Sequence, residues 1–147
     1  MKITKTDIFL NNSQVIVNPV NCIGIMGAGL AKQFKVKYPD NELAYKEHCY
    51  YGYMKPGEIF AFNVDKNLTI LNAATKNHWK NPSRVEWIQK CLENIARYCI
   101  FEFVESISIP LIGCGLGGIK FEEVKSDFEK FYEELQIHGI HVSICNR

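Results

Sequence analysis

The chain has 147 residues, of which 47% are apolar and 22% charged, enough for the core of one domain and too few for two. Seventeen basic against sixteen acidic side chains leave a net charge of +1, which argues against an extended polyanion-binding surface. The chain has no apolar run of the roughly 20 residues that a membrane span needs and no signal-peptide pattern, so we expect a cytoplasmic protein.

Short β-branched strands alternate with helical patterns along the chain. The first half predicts a strand over 14–20, a helix from Gly29 to Tyr38-Pro39, a helix capped by Asp40 that runs to about Tyr51, and strands over 59–64 and 68–73. The second half predicts a helix begun by a Ser83–Glu86 capping box, a strand over 106–111, a helix over 121–135 and a strand over 140–145. The alternation predicts an α/β fold with helices on both faces of one sheet, in a single domain over 1–147.

Cysteine usage indicates structural thiols. The chain has six cysteines and no C-x-x-C pair, and four of the six lie inside apolar stretches. Free cysteine in such a setting behaves as a small hydrophobic residue. We expect reduced thiols and no metal site; the residues are Cys22, Cys49, Cys91, Cys99, Cys114 and Cys145.

Two glycine-rich loops each lie between a predicted strand and a predicted helix. The first reads GIMGAG over 24–29 and the second GCGLGG over 113–118. Glycine allows backbone N–H groups to approach an anion, and a helix N-terminus adds partial positive charge. Neither loop has the G-K-[ST] of a Walker motif or a G-x-G-x-x-G in its usual context. Two such loops predict a nucleotide diphosphate as ligand.

The sequence resembles the macrodomain family in three segments: NPVN over 18–21, GAGLA over 27–31 and IPLIGCGLGG over 109–118. The resemblance extends from about Ile3 to Cys145. The segment ATKNHW over 74–79, followed by Ser83-Arg84, resembles the branch that contains the terminal ADP-ribose glycohydrolase and the DarG-type antitoxin, which removes ADP-ribose from thymidine in DNA. The resemblance implies a three-layer α/β/α macrodomain with a central mixed sheet of about six strands.

The resemblance also implies roles for individual residues. Asp7, at the end of the first strand, matches the residue that accepts a hydrogen bond from the adenine amino group, and Ile8 adds a backbone contact. Asn21 matches the asparagine near the distal ribose, and Lys76 the lysine essential to catalysis, so these two are the predicted catalytic residues. The other predicted ligand-binding residues are Asn18, in a supporting part, Gly27, Ala28, Gly29 and Leu30 in the first loop, and Gly113, Cys114, Gly115, Leu116 and Gly117 in the second.

Several roles stay open at this level. Lys76 could act as a nucleophile or as a cation that stabilises charge at the scissile bond. Trp79 either packs its loop or stacks on a base, and Lys80 with Arg84 either forms an ordinary rim or contacts a flanking phosphate. The resemblance implies an aspartate at the position of Gly117 in members that act on protein-linked ADP-ribose, so the glycine favours DNA-linked or other ADP-ribose.

The leading functional hypothesis is an ADP-ribosyl glycohydrolase that removes ADP-ribose from thymidine bases of DNA and so reverses a toxin-type modification. The alternatives are a hydrolase of a small derivative such as ADP-ribose 1″-phosphate, and a reader that binds ADP-ribose without turnover. Expected partners are ADP-ribose or an ADP-ribosylated substrate, including ADP-ribosylated single-stranded DNA. We expect a monomer that needs no cofactor.

Overall fold

The computed structural model describes residues 1–146 and has six strands, four α-helices and one short 3₁₀ turn at Ile8–Leu10. The strands are β1 (Ile3–Thr4), β2 (Val15–Val20), β3 (Ile59–Asp65), β4 (Leu68–Ala74), β5 (Ser106–Pro110) and β6 (His141–Cys145). The helices are α1 (Gly29–Lys37), α2 (Pro39–Tyr50), α3 (Val85–Phe101) and α4 (Phe121–Ile137). The predicted elements are confirmed, with bounds that shift by one or two residues.

All strands form one sheet in the order β1-β6-β5-β2-β4-β3. Every neighbouring pair is parallel except β3 with β4. Residues alternate between the two faces, as the period of a strand requires. Val15 and Val17 pack with α3 and α4 in the largest core cluster, whereas Ile16 packs with Phe34 of α1 on the opposite face. The expected three-layer α/β/α fold with a mixed six-stranded sheet is therefore confirmed.

The parallel strands end together along one side of the sheet, here called the carboxyl edge; the other side is the amino edge. The loops that follow β1, β2, β4 and β5 all leave from the carboxyl edge. Open α/β sheets bind ligands at this edge, because the loops converge there and the following helices present their N-termini. The fold thus collects the predicted site residues along one edge.

The predicted capping box of Ser83 and Glu86 is wrong. Helix α3 begins at Val85, directly after Arg84, and no side-chain hydrogen bond caps its N-terminus. The Ser83 backbone N–H donates instead to the carbonyl of Gly117 at 2.9 Å, so it does not donate to the Glu86 side chain as a capping box requires. The second helix also starts earlier than predicted, because Pro39 occupies its first turn ahead of Asp40 and needs no N–H partner there.

The cysteines are free thiols, as the sequence predicts. Burial raises the pKa of Cys22 to about 11 and that of Cys99 to about 12, so both thiols are protonated at neutral pH. Within residues 1–146, no group of three or more His, Cys, Asp or Glu side chains is placed to hold a metal ion. No helix in the same residues is both long and apolar enough to cross a bilayer.

Candidate functional site

The candidate site runs along the carboxyl edge in the order of the strands. Asp7 follows β1, the second glycine loop follows β5, the first glycine loop follows β2, and Lys76 follows β4. Neighbouring strands lie about 4.8 Å apart, so the four steps from β1 to β4 span about 19 Å. The site is therefore a series of three parts: a pocket lies at one end, the two glycine loops lie in the middle, and a lysine lies at the other end.

The first end of the series is a cleft of about 350 Å³ between the ends of β1, β5 and β6 and helix α1. The Asp7 carboxylate accepts a hydrogen bond from the Phe9 N–H at 2.9 Å and so caps the short 3₁₀ turn. Ile8 is buried beside it. Strand β1 ends at Thr4, and Asp7 lies three residues beyond that end. The cleft is lined by Thr6, Asp7, Ile8, Leu30, Gln33, Pro110 and Cys145.

The first glycine loop is held by the side chain of Asn21. Its amide donates to the carbonyl of Ile25 at 2.8 Å, and its oxygen accepts from the N–H of Ile23 at 3.1 Å. The buried Tyr45 hydroxyl lies 2.7 Å from both the carbonyl and the side-chain oxygen of Asn21 and donates to them. Asn21 therefore fixes the loop that leads to the N-terminus of α1 at Gly29. No motif in the sequence pointed to Tyr45, because its partner lies 24 positions away.

The second glycine loop presents backbone donors to the edge. The N–H groups of Gly115, Leu116 and Gly117 find no acceptor among residues 1–146, whereas that of Gly118 donates to the carbonyl of Gly115 at 3.1 Å. The Cys114 N–H was expected to face the ligand, but it closes a turn onto the carbonyl of Leu111 at 3.1 Å. That expectation is corrected, and the donors of this loop begin at Gly115.

The two glycine loops contact each other. A Cβ atom on Gly29 would lie 3.0 Å from Cδ1 of Leu116, a tight contact with the end of an exposed side chain. Gly29 also has a φ of 58°, in the left-handed region that favours glycine. The donors of both loops are thereby brought to one place at the N-terminus of α1, which is the environment that an anionic group prefers.

Lys76 occupies the far end of the series. The loop that carries it is joined to the end of β2, because the N–H groups of Thr75 and Lys76 donate to the carbonyl of Val20 at 3.0 and 3.4 Å. The N–H of Cys22 donates in turn to the carbonyl of Asn77 at 3.2 Å. These bonds set Lys76 beside Asn21. Within residues 1–146 no carboxylate pairs with its ammonium, which donates to the carbonyl of Trp79 at 3.3 Å.

The rest of the Lys76 loop is aromatic and cationic. The Trp79 side chain is 50% exposed, and Lys80 Nζ lies 5.3 Å from its ring centroid. The guanidinium of Arg84 lies 5.1 Å from the ring of Trp87. Trp79 thus does not fill the core, and the cations beside it stand on an open surface.

Asn18 does not reach the site. It lies in β2, is fully buried, and donates to the side-chain oxygen of Asn72 at 3.0 Å. Asn72 also donates to Asn41 of α2 at 2.8 Å. The side chain of Asn18 therefore supports the sheet below the site, which is the supporting part expected of it. Its neighbours Val17 and Val20 are buried as well, and Pro19 is half-buried.

Comparison with known proteins agrees with this geometry. The family model of the Macro domain matches residues 17–127, and the chain belongs to the macrodomain family. The macrodomain of Thermus aquaticus DarG superposes with a TM-score of 0.91 at 32% identity, over 99% of this chain and 97% of that one. The macrodomain of Mycobacterium tuberculosis DarG gives 0.88 at 31% identity, over 98% and 97%.

The sequence relatives bear names of the same class. A DNA ADP-ribosyl glycohydrolase of Thermus aquaticus is 36% identical over 132 residues, which is 88% of this chain and 36% of the relative. The chain thus spans about a third of the length of that relative. The human ADP-ribose glycohydrolase OARD1 is 32% identical over 113 residues, covering 76% of this chain and 70% of that protein.

Proposed function

We propose that this macrodomain is an ADP-ribosyl glycohydrolase that releases ADP-ribose from thymidine in single-stranded DNA. The observation that carries the proposal is the serial order along the carboxyl edge: the Asp7 cleft, then the facing glycine loops, then Lys76 beside Asn21. ADP-ribose has its parts in the same series, with adenosine, a diphosphate and a distal ribose whose anomeric carbon carries the leaving base. The names of the DarG relatives support the same activity.

Each part of the edge has a role in binding. The Asp7 carboxylate offers an acceptor to the adenine amino group in the cleft that Ile8 helps to form. The N–H groups of Gly115, Leu116 and Gly117, with those at the start of α1, donate to the diphosphate. Because these donors are fixed by the loop contacts, little reorganisation is needed on binding.

The chemical step takes place at the Lys76 end of the series. Hydrolysis breaks the bond between the anomeric carbon and the base nitrogen; water gives its hydroxyl to that carbon and a proton to the base. Lys76 serves this step in one of two ways: as a cation it stabilises the departing base, or as a neutral amine it attacks the anomeric carbon in the open form of the sugar. In the second case the bond to the base breaks as the lysine–carbon bond forms, the base takes the proton that the amine loses, and water then hydrolyses the lysine–sugar adduct to restore the amine and release ADP-ribose. The Asn21 amide, fixed by Ile25 and Tyr45, orients the distal ribose.

Gly117 supports a DNA-linked substrate over a protein-linked one. A Cβ atom at this position would lie 2.5 Å from the carbonyl oxygen of Gly113 and 2.5 Å from the hydroxyl of Ser83. The resemblance implies an aspartate here in members that act on protein-linked ADP-ribose. This loop has no room for such a carboxylate, so Lys76 must work without it.

The test compares release of free ADP-ribose from an ADP-ribosylated single-stranded oligonucleotide with turnover of ADP-ribosylated protein and of ADP-ribose 1″-phosphate. We expect the oligonucleotide to be the preferred substrate by kcat/KM. Preference for the phosphate would favour the small-molecule hydrolase, and tight ADP-ribose binding with no turnover of any substrate would favour the reader.

A further inference from the structure

Three tyrosines form an exposed surface at the end of α2, here called the tyrosine cluster: Tyr50, Tyr51 and Tyr53. Their side chains are 84%, 59% and 61% exposed. The rings of Tyr51 and Tyr53 stack with centroids 6.1 Å apart, and Tyr50 meets Tyr51 edge-on at 5.3 Å. Rings so exposed add little to the core, and contiguous exposed aromatic surface marks a binding site.

The tyrosine cluster adjoins the Lys76 end of the site. A Cβ atom on Gly24 of the first loop would lie 3.6 Å from Cβ of Cys49, the residue before the cluster. The Cys22 thiol of the same loop donates to the carbonyl of Lys76 at 3.4 Å. The N–H of Gly57, just after the cluster, donates to the carbonyl of Ala74 at 2.8 Å. The cluster thus lies where a substrate would leave the site beyond the distal ribose.

The surroundings of the cluster favour a polyanion. Residues 48–57 and 74–85 contain no aspartate or glutamate, and the acidic residues that flank them along the chain are Glu47, Glu58 and Glu86. No ion pair within residues 1–146 engages the cations of these two segments, which are Lys55, Lys76, Lys80 and Arg84. The four cations outnumber the three flanking carboxylates, so this part of the edge has a small excess of positive charge.

We propose that the tyrosine cluster stacks on unpaired bases of the DNA strand next to the modified thymidine, with Lys55 near the strand's phosphates. The inference rests on the proposed function and names the part of the substrate that lies outside the ADP-ribose site. Aromatic rings beside lysines are the usual means of holding a single strand without reading its sequence, because every base offers a flat face.

The test measures kcat and KM for release of ADP-ribose from two substrates. One is ADP-ribosylated thymidine mononucleotide; the other is a single-stranded oligonucleotide of about 15 nucleotides, near the upper site size of a single-strand-binding fold, with one ADP-ribosylated thymidine. We expect Tyr50→Ser combined with Tyr51→Ser and Tyr53→Ser to raise KM for the oligonucleotide by about five-fold or more. Neither parameter for the mononucleotide should change.

Phe101→Ser is the matched control, because Phe101 is 75% exposed but lies at the end of α3 on the amino edge. Tyr50→Ser alone, at the most exposed of the three rings, guards against loss of packing, and unchanged ADP-ribose affinity shows that the site is intact. Equal KM values of the wild type for both substrates, or equal losses on both in the variants, would overturn the inference while leaving the proposed function standing. Absence of release from both substrates by the wild type would overturn the proposed function, and this inference with it.

Discussion

The ammonium of Lys76 donates a hydrogen bond to the carbonyl of Trp79, three residues further along the same loop, at 3.3 Å. The acceptor is neutral and the loop is open to solvent, so a substrate can replace this bond at little cost. The bond holds the lysine side chain against its own loop, next to the end of β4.

Lys76→Ala should abolish release of ADP-ribose from modified DNA and leave ADP-ribose affinity within a few-fold. An interaction made mainly in the transition state lowers turnover without much effect on ground-state binding. Single-turnover assays and calorimetry give the two readouts. Lys76→Arg keeps the charge but removes a titratable amine, so activity in the arginine variant alone would favour the electrostatic role. Full activity in Lys76→Ala would contradict the assignment.

Gly115→Glu should eliminate ADP-ribose binding while the fold survives. A Cβ atom at Gly115 would meet no heavy atom within 4 Å, so the side chain fits, but its carboxylate would lie beside the donors meant for the diphosphate. Calorimetry with ADP-ribose gives the affinity and thermal denaturation the stability. Gly115→Ala serves as control, because it adds a Cβ without charge and should bind nearly normally. Retained binding in the folded glutamate variant would place the diphosphate elsewhere.

Asp7→Ala should weaken ADP-ribose binding by about 1–3 kcal/mol, the usual cost of losing a hydrogen bond to a charged group. Asp7 also caps the 3₁₀ turn through the Phe9 N–H, so the comparison with Asp7→Asn matters. Asparagine is a good cap and keeps that bond, yet lacks the charge. We expect intermediate affinity for Asp7→Asn with wild-type thermal stability. An unchanged dissociation constant in Asp7→Ala would show that Asp7 only stabilises the turn and does not bind ADP-ribose.

Asn72→Ala should lower the free energy of unfolding by at least about 1–3 kcal/mol, because removal of one partner leaves buried polar groups of Asn18 and Asn41 unsatisfied. Asn72 joins these two residues, which lie on β2 and α2, and also donates to the carbonyl of Phe60 at 3.1 Å. Urea denaturation measures the loss. Asn67→Ala, in an exposed turn, is the control and should be near neutral. Equal stabilities of the two variants would show that the buried amides add nothing.

Local patterns were sufficient to predict the helices and strands and to identify both glycine loops. The helical spacing of apolar residues predicts α3 directly, since Ile88, Leu92 and Ile95 all lie on its buried face. Details that depend on a distant partner could not be predicted. The N–H of Ser83 donates to the carbonyl of Gly117, and the side-chain amide of Asn18 donates to Asn72; the nearby sequence identifies neither partner.

The distribution of charge also could not be predicted from the sequence alone. A value of +1 argued against a polyanion surface, but composition records how many charges a chain has and not where they lie. The chain has no carboxylate over 74–85, although Glu86, Glu122 and Glu123 lie in the first turns of α3 and α4 at the same edge.

Lys80 and Arg84 are exposed in the loop between β4 and α3, a local cationic feature that the net charge does not show. Under the proposed function these cations attract the phosphates of the strand as it approaches the Lys76 end of the site. The attraction is confined to about 10 Å at an ionic strength of 0.1 M. Association with DNA should therefore slow as salt is added, even though the protein as a whole is almost uncharged.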